Sequence, residues 1–252
     1  MRRLSGGGSV AQLVEQATFN REVPGSSPGG PTTGTAKIRR LPAPLIGAGY
    51  GAAGLAVVLA GGLLVGRWPF AWDRAIIAGL REWSGPAWLP RAAVDITALG
   101  GGTVLTVLVI AVAGFLLLQR LPLTAAATVA ACWSGDLVVD LAKSGFARAR
   151  PDVVAHLVPV HNASFPSGHA ASSAICYLTL AALAAQVTPD ARVRRYLAIV
   201  AILLVGAVGA SRVYLGVHWP SDVLAGWCFG TLWALGWWLA TARARTAIGG
   251  ER

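Results

Sequence analysis

Residues 196–222 read YLAIVAILLVGAVGASRVYLGVHWPSD. From Tyr196 to Leu215 the only charged side chain is Arg212, near the end of the run. Twenty helical residues rise ~30 Å, the thickness of the hydrocarbon core of a bilayer, so this run predicts a membrane-spanning helix. The chain then changes character: Ser211 and Arg212 close the run, and His218, Trp219, Pro220, Ser221 and Asp222 precede the next apolar block. Ionisable groups are costly in or beside hydrocarbon, so a cluster at the mouth of a span points to function.

Working outward, six segments have the length and apolarity to cross a bilayer, near 44–66, 103–119, 123–142, 167–187, 196–215 and 221–240. Composition agrees: 55% of the 252 residues are hydrophobic, 13% are charged, and the mean hydropathy is +0.60. A soluble domain of this size carries roughly 25% charged residues, so a soluble fold is excluded. The expected fold is all-α, a polytopic bundle of six transmembrane helices occupying residues 42–241 as one domain, without internal repeats. The net charge of +10 does not indicate nucleic acid, because the basic residues are scattered between apolar blocks and form no stripe. Lysine is confined to Lys37 and Lys143 while arginine is abundant, a bias of GC-rich bacterial genomes. Cys132, Cys176 and Cys228 each fall inside an apolar block, without metal-ligand spacing, and read as small buried hydrophobes.

Charge between the spans sets the expected orientation. Lys37, Arg39, Arg40, Arg120, Arg192, Arg194, Arg195, Arg243, Arg245 and Arg252 fall on one side, ten in all. Arg67, Arg74, Arg81, Arg91 and Arg148 fall on the other, once Lys143, Arg150 and Arg212 are reserved for chemistry. Ten against five places both termini in the cytoplasm. Residues 1–41 are rich in Gly, Ser, Pro and Thr and read as a disordered extension. The stretch GGGSVAQLVEQATFNREVPGSSPGGPT resembles a mistranslated transfer-RNA gene, which predicts a true start downstream, near Val23 or Leu41. Residues 242–252 are expected to form a cytoplasmic tail. Within 68–88, Trp72, Ile76, Ile77, Leu80 and Trp83 recur at helical spacing among Asp73, Arg74, Arg81 and Glu82, predicting an amphipathic helix in the outer interface flanked by Trp68 and Trp88.

The candidate chemistry gathers at four span ends. Lys143 closes the third span, with Arg150 and Pro151 in the loop beyond it; Phe165-Pro166-Ser167-Gly168-His169 opens the fourth. Ser211-Arg212 closes the fifth, and His218 to Asp222 lead into the sixth. In a six-span topology these ends emerge on one face, so residues distant in sequence meet in one polar site. Lys143, Arg150 and Arg212 suit the anionic oxygens of a phosphate ester. Pro166 and Pro220 suit first helical positions, which would leave N–H groups around Ser167 and Gly168 free to face the anion. Asp136 and Asp140 lie within the third span, and Asp140, three residues before Lys143, is expected to form an ion pair that positions it. The alternative for Asp136 is that it lines a substrate or water path. Arg148 reads as a solvated loop charge or headgroup contact, and His156 and His161 as interfacial polar residues.

The motifs K-x6-R-P from Lys143 to Pro151, P-S-G-H from Pro166 to His169 and S-R-x5-H-x3-D from Ser211 to Asp222 resemble the three signatures of the type-2 phosphatidic acid phosphatase superfamily. The order and the placement at span ends match as well. The resemblance implies metal-independent hydrolysis of a membrane lipid phosphate or diphosphate on the non-cytoplasmic face, with no cofactor. It implies His218 as nucleophile forming a phosphohistidine, Asp222 orienting it, and His169 as general acid and then base. Lys143, Arg150, Ser167, Gly168 and Arg212 would hold the phosphate. Polyprenyl diphosphate, phosphatidic acid and phosphatidylglycerol phosphate all fit. A lipid phosphotransferase with the same intermediate, a vanadate-dependent haloperoxidase and a non-catalytic transporter or scaffold are the rival readings.

Overall fold

The computed structural model describes residues 43–67, 70–187 and 190–247, all in helices or connecting turns. The expectations for residues 1–41, for Trp68 and for the last residues of the tail lie outside them. Among the described residues eight helices follow in order: α1 Ala43–Arg67, α2 Ala71–Trp83, α3 Leu89–Ala98, α4 Gly102–Leu118, α5 Pro122–Phe146, α6 Gly168–Val187, α7 Ala191–Tyr214 and α8 Pro220–Ala247.

Helices α1, α5, α6, α7 and α8 are each long and apolar enough to cross a bilayer, and α3 with α4 makes a sixth candidate span, bent by 45°. Large apolar side chains such as Leu59, Leu64, Val107, Ile110, Trp133, Ile202 and Leu203 point outward from these helices. Water would penalise that surface, whereas lipid tails do not. All six expected spans therefore have helical counterparts. Helix α3 was not expected; its ten residues include Arg91 and Asp95 and are too few and too polar to register as a span. Helix α8 runs on to Ala247, into the segment read as tail.

The centre of the bundle is α8, which packs against α1 and α6 while α6 also packs against α7. Close approach of α8 to α6 depends on Gly226 and Gly230: an added Cβ would lie 2.8 Å from the Ser167 carbonyl oxygen at the first and 2.6 Å from that of Ala171 at the second. Small residues four apart are a common way for membrane helices to bring backbones together. Around this contact Val58, Val139, Phe165, Ile175 and Phe229 form the main apolar core, with the Phe165 ring set edge-on to Phe146 at 5.6 Å. Cys132 and Cys176 are buried there, sulfur to sulfur 3.1 Å as free thiols, whereas Cys228 is exposed and corrects the expectation that all three are buried.

Helix α2 is amphipathic as its spacing predicted, with Trp72, Ile76 and Trp83 exposed. Its other face is more than an interfacial rest. Ile77 joins Ala170, Val213, Trp219 and Val223 in a second core, and Asp73 beside it is buried.

Candidate active site

The C-terminal ends of α5 and α7 and the N-terminal ends of α6 and α8 meet at one end of the bundle, as the topology required. Helix α5 stops at Phe146 because Ala147 turns left-handed, at φ 45°, and donates its N–H to the Lys143 carbonyl at 3.0 Å. That turn sends Arg148 and Arg150 back across the bundle end. Pro220 is the first residue of α8, the position where its missing N–H costs nothing. Pro166 differs from expectation: α6 begins at Gly168, and Pro166 precedes it behind a cis peptide bond from Phe165. The Ser167 N–H is not free either, since it donates to the Asp222 carbonyl at 3.1 Å and ties the two motifs together.

His218 lies at the centre and is 1% exposed. Its Nε2 sits 3.3 Å from Arg150 Nη1, while Nδ1 is 3.6 Å from Asp222 Oδ2 and 3.4 Å from Ser164 Oγ. Burial pushes the imidazole down to about 4, with Asp222 opposing the shift and Arg150 and Arg212 adding to it. At neutral pH the ring is therefore uncharged, with its Nδ1 hydrogen toward Asp222 and its Nε2 lone pair toward Arg150 Nη1. Asp222 Oδ2 accepts from Ser164 Oγ at 2.5 Å and from the Trp219 N–H at 2.9 Å, which fixes the carboxylate against the ring.

The cations surround this ring. Arg150 is held by Asn162, with Nε on its carbonyl at 2.7 Å and Nη2 on its Oδ1 at 2.6 Å, and by the Val217 carbonyl at 2.6 Å. Burial lowers its pKa from the ordinary guanidinium value, with Asp222 acting the other way. Arg212, 5% exposed, anchors Nη1 on Thr97 Oγ1 at 2.9 Å. The Lys143 ammonium lies 3.5 Å from where a side chain on Gly168 would begin, which brings the lysine to the start of α6. His169 is partly buried, and its electrostatic neighbours are Arg212, His218, Lys143 and Arg150. The Gly100–Gly101 break between α3 and α4 packs against His169, with no room at Gly100 for a Cβ. Arg212 Nε and Ser167 Oγ are buried without a hydrogen-bond partner. A buried donor left unpaired costs about 1–3 kcal/mol. Both belong to the motifs that meet at this end of the bundle, and an anion's oxygens would satisfy them. Among the described residues, no three His, Cys, Asp or Glu side chains are grouped to share a metal ion.

Two expectations need correction. Arg148 is not a solvated charge: its side chain is 11% exposed, and it bonds Asp222, Ser221 Oγ at 2.8 Å and Asp73 Oδ2 at 3.1 Å. Asp140 does not pair with Lys143; it is exposed, and no ion pair joins the two. The lysine side chain extends toward Gly168, and Asp140 remains an electrostatic neighbour of it without an ion-pair contact. Asp136 is likewise exposed and accepts a hydrogen bond from Ser172 on α6. His156 and His161 are exposed and outside the cluster, as expected. Sequence reading missed Asp73, Thr97, Asn162 and Ser164 as members of the site. Only Arg148 had a usable signal, lying inside the K-x6-R-P motif itself.

A multi-span helical bundle with a cationic, histidine-bearing cradle at one end defines a class of membrane-embedded phosphate-handling enzymes. Comparison with known proteins gives the family. The model of the PAP2 superfamily matches residues 122–246, which run from α5 through α8. Phosphatidylglycerophosphatase B of Bacillus subtilis (strain 168) is 32% identical over 146 residues, covering 58% of this chain and 71% of that protein. An undecaprenyl-diphosphatase of Sulfolobus acidocaldarius is 38% identical over 68 residues, 27% of this chain and 29% of its own length. Among solved structures, the transmembrane PAP2-type phosphatidylglycerolphosphate phosphatase of Bacillus subtilis superposes with a TM-score of 0.66 at 26% identity, covering 73% of this chain and 92% of that one. LpxE of Aquifex aeolicus shares the fold, with a TM-score of 0.51 at 24% identity over 66% of this chain and 94% of its own. The chain belongs to the PAP2 superfamily. It is a multi-pass membrane phosphatase of that superfamily.

Proposed function

We propose that the protein removes phosphate from a membrane lipid monophosphate or diphosphate through a phosphohistidine on His218, without a metal. The observation that carries this reading is the buried His218 ring beside Arg150 and Arg212, with Arg212 Nε and Ser167 Oγ left without a hydrogen-bond partner. The phosphate oxygens bind Lys143, Arg150, Arg212 and Ser167, which lowers the electron density at phosphorus. His218 Nε2 then forms a bond to phosphorus as the ester P–O bond breaks, and His169 gives its proton to the departing oxygen. Asp222 stabilises the cationic ring from the Nδ1 side. Water, losing a proton to His169, attacks phosphorus, the P–N bond breaks, and phosphate leaves.

The names of the relatives support phosphatidylglycerol phosphate and undecaprenyl diphosphate as the first substrates to try, with phosphatidic acid as a third. An apolar groove of about 560 Å³, whose lining includes Trp72, Ile76, Tyr214, Trp227, Ser211 and Pro220, offers room for hydrocarbon beside the site. The excess of Lys and Arg on the opposite side supports a site at the extracytoplasmic face, with both termini inside.

Phosphate release from these three lipids by purified protein in detergent, with EDTA present, tests the reading against His218→Ala. Release by wild type that vanishes in the variant is the expected result. Release that depends on added divalent metal, or that survives the substitution, would contradict it. Transfer of labelled phosphate to an alcohol in place of water would turn the assignment to a phosphotransferase.

A further inference from the structure

Asp73 belongs to α2, outside every signature motif, yet its carboxylate is 1% exposed and fully engaged at the site. Oδ1 accepts the Ser221 N–H at 2.9 Å; Oδ2 accepts Ser221 Oγ at 2.6 Å and Arg148 Nη2 at 3.1 Å. Arg148 puts its other terminal nitrogen on Asp222 Oδ1 and on Ser221 Oγ. The result is a buried chain of carboxylate, guanidinium and carboxylate that ends on the partner of His218, and the Arg148 guanidinium lies 5.6 Å from the centre of the Trp219 ring.

The division of Arg148 matters for the chemistry. Guanidinium and carboxylate prefer a two-pronged pair, so an Arg148 released from Asp73 would take both oxygens of Asp222. Asp222 Oδ2 would then be withdrawn from His218 Nδ1, and its negative charge would be spent on the arginine. With Asp73 holding Nη2, two carboxylates share one cation and a net negative charge remains facing the ring.

We propose that Asp73 is a positioning residue: it splits Arg148 between two carboxylates and so keeps Asp222 Oδ2 directed at His218. The proposal rests on the phosphohistidine reading above. It also couples the interfacial helix to the reaction, because the helix that exposes Trp72, Ile76 and Trp83 carries the carboxylate that sets the dyad.

The test is steady-state hydrolysis by Asp73→Asn, which keeps the shape and one acceptor oxygen but loses the charge, alongside Arg148→Gln and the double variant. Outer-shell partners of a reacting group are typically worth roughly 10–100-fold in activity, so kcat of Asp73→Asn should fall within that range with KM nearly unchanged. The double variant should be no slower than Arg148→Gln alone, because Asp73 acts through Arg148. Asp73→Glu, which retains the charge, should recover part of the loss. It also serves if the asparagine variant fails to fold, since near-wild-type kcat in Asp73→Glu then supports the role and loss as deep as in Arg148→Gln overturns it. Glu82→Gln, on an exposed turn of the same helix, should match wild type. An Asp73→Asn protein with lowered thermal stability but unaltered kcat, or losses that multiply in the double variant, would overturn the proposal and leave the phosphohistidine reading intact. A folded wild type that hydrolyses none of the three lipids overturns both.

Discussion

Replacing Gly230 by alanine adds one methyl group, and its effect can be worked out from the packing of α8 on α6. The new Cβ would lie 2.6 Å from the Ala171 carbonyl oxygen and 2.7 Å from Ala174 Cβ, against about 3.4 Å for the onset of ordinary contact. Neither neighbour is a flexible side-chain end, so the helices must part by several tenths of an ångström. Overpacking of that kind costs roughly 1–3 kcal/mol, against a gain of about 1 kcal/mol when alanine replaces glycine in a helix. Gly206 on α7 supplies the control, because nothing lies within 4 Å of its Cβ position and only the gain applies. Gly226 is intermediate, with contacts of 2.8 Å to the Ser167 oxygen and 3.0 Å to Ala170 Cβ. Thermal unfolding in detergent should rank Gly206→Ala at or above wild type, then Gly226→Ala, then Gly230→Ala. Specific activity of folded protein should fall most for Gly226→Ala, since it pushes on Ser167. A Gly230→Ala protein as stable as Gly206→Ala would refute the packing argument.

Other predictions follow from the site. Because burial holds His218 near 4, its ring is still about nine-tenths neutral at pH 5; an unperturbed histidine of pKa ~6.5 would be almost entirely protonated there. The single-turnover rate of enzyme phosphorylation, corrected for substrate ionisation, should therefore hold from pH 7 to 5, and a tenfold decline centred near 6.5 would contradict the buried, neutral nucleophile. Thr97→Val removes the anchor of Arg212 Nη1 at 2.9 Å, and a hydrogen bond to a charged group worth ~1.5–3 kcal/mol predicts a loss of roughly 10–100-fold in kcat/KM. Ala147→Gly should raise the melting temperature at unchanged activity, because the left-handed turn at φ 45° costs an alanine ~1 kcal/mol, while Ala147→Val should lower it.

Much of this was legible in the sequence for physical reasons. Apolar runs of about twenty residues admit few structures in lipid, and the alternation of spans forces Lys143, His169, Arg212 and His218 to one end. What escaped were residues whose role depends on distant partners. Asp73 looks like the polar face of an amphipathic helix until Ser221, 148 positions away in sequence, arrives beside it. Thr97 sits 115 positions from Arg212, in a short helix that hydropathy alone does not reveal. The Asp140–Lys143 pair erred in the other direction. Helical spacing places the two on neighbouring positions, but a long lysine chain follows the stronger demand, here the polar end of the bundle. Arg148 was read by its loop context, and its two carboxylate partners come from other elements entirely.

The most direct test of the central claim is to look for the covalent intermediate. Wild type, His169→Ala and His218→Ala, each mixed with lipid carrying labelled phosphate, can be quenched in milliseconds and analysed for acid-labile, base-stable label by peptide mapping. The account predicts label on His218 in wild type, accumulation in His169→Ala once hydrolysis of the intermediate is slowed, and none in His218→Ala. Wild-type turnover with no label on His218 at any time, or label on another residue, would contradict it.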